Sequence, residues 1–163
     1  WVLWRKLALG AVTAVAVPES DNPLAVLDTG PRVLNALALV SRAAGHLLWP
    51  DHLAPDYTSN AWPVLRQLNR EVLVGAVLMA LTWAGLTWAL RRRPADDEAP
   101  TPELTRRELL ALALGWTAGY WLPVSNLVFP STVLFADRLL TAPSLGLAVL
   151  LAWPLAWAPT GLK

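Results

Sequence analysis

The sequence contains no cysteine and carries almost no net charge, and these two absences exclude several classes of function. Without cysteine, the chain forms no disulfide, no thiolate metal site and no cysteine nucleophile. A net charge of +1 provides no broad basic surface for nucleic acid, so no nucleic-acid partner is expected. Any chemistry must therefore come from carboxylates, histidine, arginine, tyrosine or amides.

The common motifs of catalytic and cofactor sites are also missing. The sequence has no Gly-rich phosphate loop, no nucleophile elbow and no dinucleotide fingerprint. Its two histidines, His46 and His52, are separated by Pro50, and this arrangement gives no shared helical face for a metal. We predict neither a metal nor a cofactor in this chain.

Hydrophobic residues are abundant, at 55% of the chain, and include ten tryptophans. The run from Val72 to Leu90 contains no charged residue. At ~1.5 Å per residue, a helix of this length crosses a ~30 Å hydrocarbon layer. Apolar segments at 109–129 and 143–159 are further candidate spans. The predicted fold class is all-α, with polytopic membrane helices and interfacial or re-entrant helices on the outer side.

Charge and polarity divide the chain into five parts. Residues 1–17 open at Trp1 without an initiator Met, and Arg5 and Lys6 mark either the cytoplasmic start of a first span at 7–17 or the outer end of a truncated membrane helix. Residues 18–70 form an extracytoplasmic loop domain, in which 32–49 is an amphipathic, interfacial helix. Residues 71–90 form a transmembrane helix. The Arg-rich stretch 91–108 is the best candidate for a cytoplasmic linker under the positive-inside rule. Residues 109–163 are membrane helices broken at 123–130.

The break between Pro123 and Pro130 predicts irregular backbone near membrane depth. Such backbone is tolerated only against protein or a wet cavity, so a cavity is expected beside Ser125 and Asn126. The following residues, Thr132 to Leu140, are predicted to form a short helix.

Asp137 and Arg138 are the strongest candidates for function, because both are ionisable and lie within an apolar stretch. Adjacent helical residues point about 100° apart, so the two need not pair with each other. The structural alternative is that Arg138 extends its charge to lipid headgroups.

A second set of candidates lies in the outer segments. Arg32, Arg42 and His46 share one side of the predicted helix, where they either attract a phosphate or form the wet face of an interfacial helix. The loops carry acidic, basic and phenolic groups that either act on a hydroxyl acceptor or make turns. These are Asp21, Asp51, His52, Asp56 and Tyr57.

Several motifs along the chain match those of one known family in order and spacing. The first half carries Asp21-Asn22-Pro23-Leu24-Ala25, Pro31-Arg32, Trp49-Pro50 and Asp56-Tyr57-Thr58 in the order and spacing of that family's outer-loop domain. The second half reads LPVSNLVFP from Leu122, ADRLL from Ala136 and PSLG from Pro143. These stretches resemble the pattern "LPxSNLxFP … AERLLYLPSLG" of the TMTC-type family of transmembrane and TPR-repeat O-mannosyltransferases. Asp137 replaces the family's usual Glu, and Thr141-Ala142 replaces Tyr-Leu.

The resemblance implies a piece of a GT-C-type glycosyltransferase, one that transfers mannose from a polyprenyl-phosphate donor to protein hydroxyls outside the cytoplasm. The expected partners are membrane lipid, the lipid-linked sugar and an acceptor protein. The family's catalytic acidic residues would lie upstream and its TPR array downstream. The resemblance also implies that residues 1–17 end a truncated membrane helix on its outer side. The expected donor-phosphate residues are Arg138, Asp137 and Arg32, and those on the cavity or acceptor side are Asn126, Asp56 and Tyr57.

A non-enzymatic transporter or membrane scaffold is the alternative, because it would show the same hydrophobicity and broken helix. The Ala-, Leu- and Trp-rich, Lys-poor composition indicates a GC-rich bacterial source, and hence the bacterial inner membrane.

Overall fold

A computed structural model describes residues 17–57, 61–91 and 105–156 of the chain. Four α-helices make up most of these ranges: α1 (Thr29–Leu48), α2 (Arg70–Leu90), α3 (Arg106–Trp121) and α4 (Thr141–Ala156). Three short 3-10 turns occupy Pro23–Val26, Leu122–Val124 and Asp137–Leu140. The described ranges contain no strand beyond one isolated bridge between Tyr57 and Phe135. The all-α class is therefore confirmed for this part of the chain.

Helix α1 begins at Thr29, before the predicted start at Arg32. Pro31 lies in its first turn, where a missing backbone N–H costs no intrahelical hydrogen bond. The helix ends at Leu48, just before Trp49 and Pro50. Its buried side is built mainly from small residues, which let α2 approach closely. The predicted interfacial position and the five-part division stay predictions.

Helix α2 has the properties of a membrane span. Asn69 caps its first turn by accepting a hydrogen bond from the Val72 N–H, and the helix ends where Arg91 begins the polar stretch. Among the described residues, it is the one helix whose length and composition suit a membrane crossing, and only 11% of its apolar window is buried. Leu73, Val77 and Leu81 are more than half exposed. Such a continuous apolar surface needs a nonaqueous neighbour.

Helices α3 and α4 are shorter than the spans expected at 109–129 and 143–159. Thr105 and Glu108 form a capping box at the start of α3, and Pro123 follows closely after its end at Trp121. Each helix has 16 residues, which corresponds to ~24 Å. Because one described helix meets the criteria for a span, the polytopic arrangement stays a prediction.

The segment after the break differs from the sequence prediction. Residues 131–136 are extended or bent instead of helical, and only Asp137–Leu140 forms a 3-10 turn. The reason is non-local: the Leu134 N–H donates to the Asp21 carbonyl, and the Phe135 carbonyl accepts from the Tyr57 N–H. The predicted helix over Thr132 to Leu140 is therefore wrong. The extended segment therefore holds the loops that precede and follow α1 against the hydrophobic core.

The expected cavity beside Ser125 and Asn126 is also wrong for this structure, because both residues are completely buried. Asn126 adopts a left-handed backbone, with φ of 61°. Its Oδ1 accepts hydrogen bonds from Asn22 Nδ2 at 2.7 Å and from the Ser131 N–H at 2.8 Å. Its Nδ2 donates to the Leu134 carbonyl at 3.1 Å. Asn126 therefore acts as a structural clamp for the irregular segment.

Candidate functional site

The Asp137 carboxylate lies where its own segment meets the end of α1 and the loop that follows α1. Its Oδ1 accepts from His46 Nδ1 at 2.8 Å, while its Oδ2 accepts from the Ala54 N–H at 2.6 Å and the Tyr57 hydroxyl at 2.8 Å. The side chain is 12% exposed. Burying a carboxylate is costly unless hydrogen bonds replace its hydration, and these three donors do so.

Backbone pairing explains why these groups converge. The Tyr57 N–H donates to the Phe135 carbonyl at 2.9 Å, and the Asp137 N–H donates to the Ala54 carbonyl at 3.4 Å. Together the two bonds hold the second outer loop against the segment that leads into α4. His46 arrives from the last turn of α1. These backbone hydrogen bonds therefore position Asp137 independently of the contacts that its side chain makes.

An aromatic cluster covers one side of this carboxylate. Trp62 stacks on Tyr57 with ring centroids 4.2 Å apart, and His46 meets both rings edge-on. The Arg42 guanidinium lies 4.9 Å from the centroid of the Trp62 ring and also pairs with Glu71 at 2.7 Å. Stacking and cation–π contacts of this kind restrict the rotamers of all these side chains.

Burial raises the pKa of the Tyr57 hydroxyl from 10.0 to about 12, and the Asp137 carboxylate adds to the shift because it would repel a phenolate. The stabilisation from the neutral phenol is fully present below pH 10 and is lost as the pH rises through 12.

We expect a difference absorbance titration between wild type and Tyr57→Phe to show a tyrosine transition near pH 12. The physical reason is that Tyr57 retains its proton while it donates to Asp137. A Tyr57 transition centred near pH 10 instead would mean that the hydroxyl is not held by the carboxylate.

Arg138 faces a different environment from its neighbour Asp137. Its guanidinium pairs with the Asp56 carboxylate at 3.0 Å, with 60% of the Arg138 side chain and 44% of the Asp56 side chain exposed. An exposed pair of this type contributes little to stability, roughly 0–1 kcal/mol. The Arg138 charge is therefore held near the surface and remains accessible to an anion.

Comparison with curated proteins finds relatives of this chain. The chain is 32% identical over 132 residues to Protein O-mannosyl-transferase TMTC3 of Homo sapiens, covering 81% of this chain and 13% of that protein. It is 29% identical over 133 residues to Protein O-mannosyl-transferase Tmtc3 of Drosophila melanogaster, covering 82% of this chain and 14% of that protein. This chain belongs to the TMTC family. The resemblance of its motifs predicted that membership.

Similarity to human Protein O-mannosyl-transferase TMTC4 extends further, with 28% identity over 154 residues, 94% of this TMTC chain and 19% of that protein. The chain thus spans less than a fifth of the length of these curated relatives. No protein-family profile matches it. No solved structure matches it either.

The structure brings together some of the residues singled out in this TMTC chain and separates others. One continuous row of side chains, called here the Asp137 edge, consists of Asp137, Tyr57, Asp56 and Arg138. Arg32 lies fourteen residues before His46 on α1, so it is ~21 Å away along the helix axis. One phosphate cannot contact both Arg32 and Arg138. Asn126 is enclosed in its own hydrogen bonds and lines no part of this edge.

Sequence reasoning missed Trp62 and Glu71 as members of the site. Glu71 had a detectable signal, since an acidic residue in the first turn of a helix is an ordinary partner for a nearby arginine. Trp62 had none, because its contact with Tyr57 depends on the path of a loop. The described ranges contain no group of three or more His, Cys, Asp or Glu placed to hold a metal.

Proposed function

We propose that this chain is part of a membrane glycosyltransferase that moves mannose from a polyprenyl-phosphate donor to Ser or Thr hydroxyls of proteins outside the cytoplasm. The similarity to curated O-mannosyl-transferases over most of this chain is the observation that carries the proposal. The accessible Arg138 beside the apolar helices is its structural support. The acidic base is placed upstream, in sequence beyond this chain.

In the proposed reaction, the acceptor oxygen attacks the anomeric carbon of the lipid-linked sugar and forms the new glycosidic bond. The bond between that carbon and the phosphate oxygen breaks, and the polyprenyl phosphate leaves with the electron pair. A carboxylate takes the proton of the acceptor hydroxyl. Arg138 stabilises the charge on the departing phosphate, because its guanidinium is a planar donor that stays protonated.

Asp137 serves this reaction by positioning Arg138, since a carboxylate would itself repel a phosphate. Its three hydrogen bonds fix the start of the 3-10 turn that presents Arg138. Asp56 holds the guanidinium until the donor phosphate replaces it, and Tyr57 keeps Asp137 in place. Arg32 is too far along α1 for this phosphate and is assigned instead to the lipid headgroup surface.

The membrane arrangement follows from the same proposal. Helix α2 crosses the bilayer, residues 18–70 lie outside the cytoplasm, and the Arg-rich stretch 91–108 lies inside. Residues 92–104 of that stretch are outside the described ranges. Helices α3 and α4 cross as part of a polytopic GT-C-type fold, in the inner membrane if the source is bacterial.

The test is deletion of the gene in the source organism, followed by mass spectrometry of exported proteins. We expect loss of mannose from specific Ser and Thr residues, and its return when the intact gene is restored. Unchanged mannosylation in the deletion strain would instead favour the transporter or scaffold.

A further inference from the structure

A polar recess is lined by His46 but not by the Asp137 carboxylate that His46 contacts. Its volume is about 560 Å³, within the ~300–1,000 Å³ range of small-molecule sites. Six side chains with polar or aromatic groups line it: Arg42, His46, Trp49, Asp51, Trp62 and Glu71. We propose that this recess binds a hexose. The inference rests on the proposed function, which supplies the reason for a sugar to be present.

Arg42 and Glu71 offer the recess a donor beside an acceptor. Arg42 Nε and Nη2 both donate to the same oxygen of Glu71, Oε2, at 3.1 and 2.7 Å. Within the described ranges, Arg42 Nη1 and Glu71 Oε1 make no hydrogen bond. A sugar hydroxyl both donates and accepts, so neighbouring donor and acceptor atoms suit it better than a patch of one charge.

His46 adds an acceptor whose orientation is fixed. An ionised carboxylate only accepts, so the His46 Nδ1–H donates to Asp137. In the neutral form of the imidazole, the lone pair is then on Nε2, on the opposite side of the ring. Edge-on contacts with Tyr57, Trp62 and Phe135 prevent the ring from turning. Nε2 is consequently ready to accept a hydrogen bond without losing side-chain entropy.

Trp49 supplies an open aromatic face. Its side chain follows the end of α1, and the residue is 75% exposed, the largest exposure among the large hydrophobic residues described. The ring faces of Trp62 are occupied by Tyr57 and Arg42, so Trp62 forms a wall and not a stacking surface. The C–H groups of a hexose carry partial positive charge and pack on the negative face of an indole.

Asp137 connects this recess to Arg138. The carboxylate orients His46, and the next residue in the chain is the arginine assigned to the donor phosphate. A bound hexose is therefore either the sugar of the lipid-linked donor or a sugar already present on the acceptor protein. The chemistry of recognition is the same for both sources.

The test uses purified full-length protein in lipid nanodiscs and methyl α-mannopyranoside as the probe, with binding measured by saturation-transfer NMR. Trp49→Ala and His46→Gln should each weaken binding at least about ten-fold, because each removes one of the direct contacts. Trp88→Ala is the matched control, since Trp88 is an exposed indole on α2 that is remote in sequence from the recess. It should bind the probe as wild type does.

Kinetics of mannose transfer identify the source of the sugar. A raised KM for the lipid-linked donor in Trp49→Ala assigns the recess to the donor, and a raised KM for a mannosylated acceptor assigns it to the acceptor. Wild type that binds the probe but transfers no mannose would overturn the proposed function and leave the recess supported. Wild-type binding in Trp49→Ala, in protein of unchanged unfolding temperature, would overturn the recess.

Discussion

Gly75→Ala is expected to destabilise the protein by about 3 kcal/mol, the upper part of the usual range for overpacking. A Cβ on Gly75 would overlap the backbone carbonyl of Leu37, where α1 and α2 cross. A flexible side chain could rotate away from a new methyl group, whereas a helix backbone cannot. The two helices must therefore separate along their contact. The measurement is the unfolding temperature of the purified protein in a fixed detergent.

Gly119→Ala is the control for this change. Gly119 also lies within a helix, α3, and a Cβ there would meet nothing within 4 Å. Because alanine has the higher helix propensity by roughly 1 kcal/mol, this variant should be as stable as wild type or more so. Equal unfolding temperatures for Gly75→Ala and Gly119→Ala would show that α1 and α2 do not pack as described.

Arg138→Ala should reduce the rate of mannose transfer by about 100-fold or more, the usual loss when a charge-stabilising donor is removed from a transition state. Its effect on folding should be small, since the pair with Asp56 is exposed and contributes roughly 0–1 kcal/mol. Arg138→Lys keeps the charge but loses the planar pair of donors, so its activity should be intermediate. Donor turnover and unfolding temperature are measured on the same preparations.

Arg66→Ala provides the matched control for Arg138, because Arg66 is also an exposed arginine but makes no hydrogen bond or ion pair with Asp56, Tyr57 or Asp137 in the described ranges. It should leave turnover unchanged. Wild-type turnover in Arg138→Ala would remove this residue from the mechanism and leave the family assignment untouched.

Local sequence patterns predicted the parts of the fold that depend on local physics. The uncharged run ending at Leu90 predicted α2, because a long apolar stretch bounded by arginine forms few structures other than a helix. The amphipathic pattern predicted α1, and Pro31 accounts for its earlier start. That Asp137 has buried partners was also predictable, since an ionisable residue in an apolar stretch needs them.

The identity of those partners was not predictable from local patterns. His46 and Asp137 are 91 residues apart in sequence, and Tyr57 and Asp137 are 80 apart. Their contacts depend on the bridge between Tyr57 and Phe135, which no periodicity indicates. The same non-local pairing turned the predicted helix at Thr132 into an extended segment. Asn126 predicted a cavity, because a polar residue between prolines can line one. Its side chain instead makes buried hydrogen bonds that hold the irregular segment in place.

The most direct test is a transfer assay with the purified full-length protein, a synthetic polyprenyl-phosphate mannose and an exported acceptor protein from the source organism. The product is identified by mass spectrometry of acceptor peptides. We predict mannose attached to Ser or Thr in the presence of this donor, with no product when a nucleotide-linked mannose replaces it. Transfer from the nucleotide-linked sugar, or no transfer from either donor by folded protein, would contradict the account.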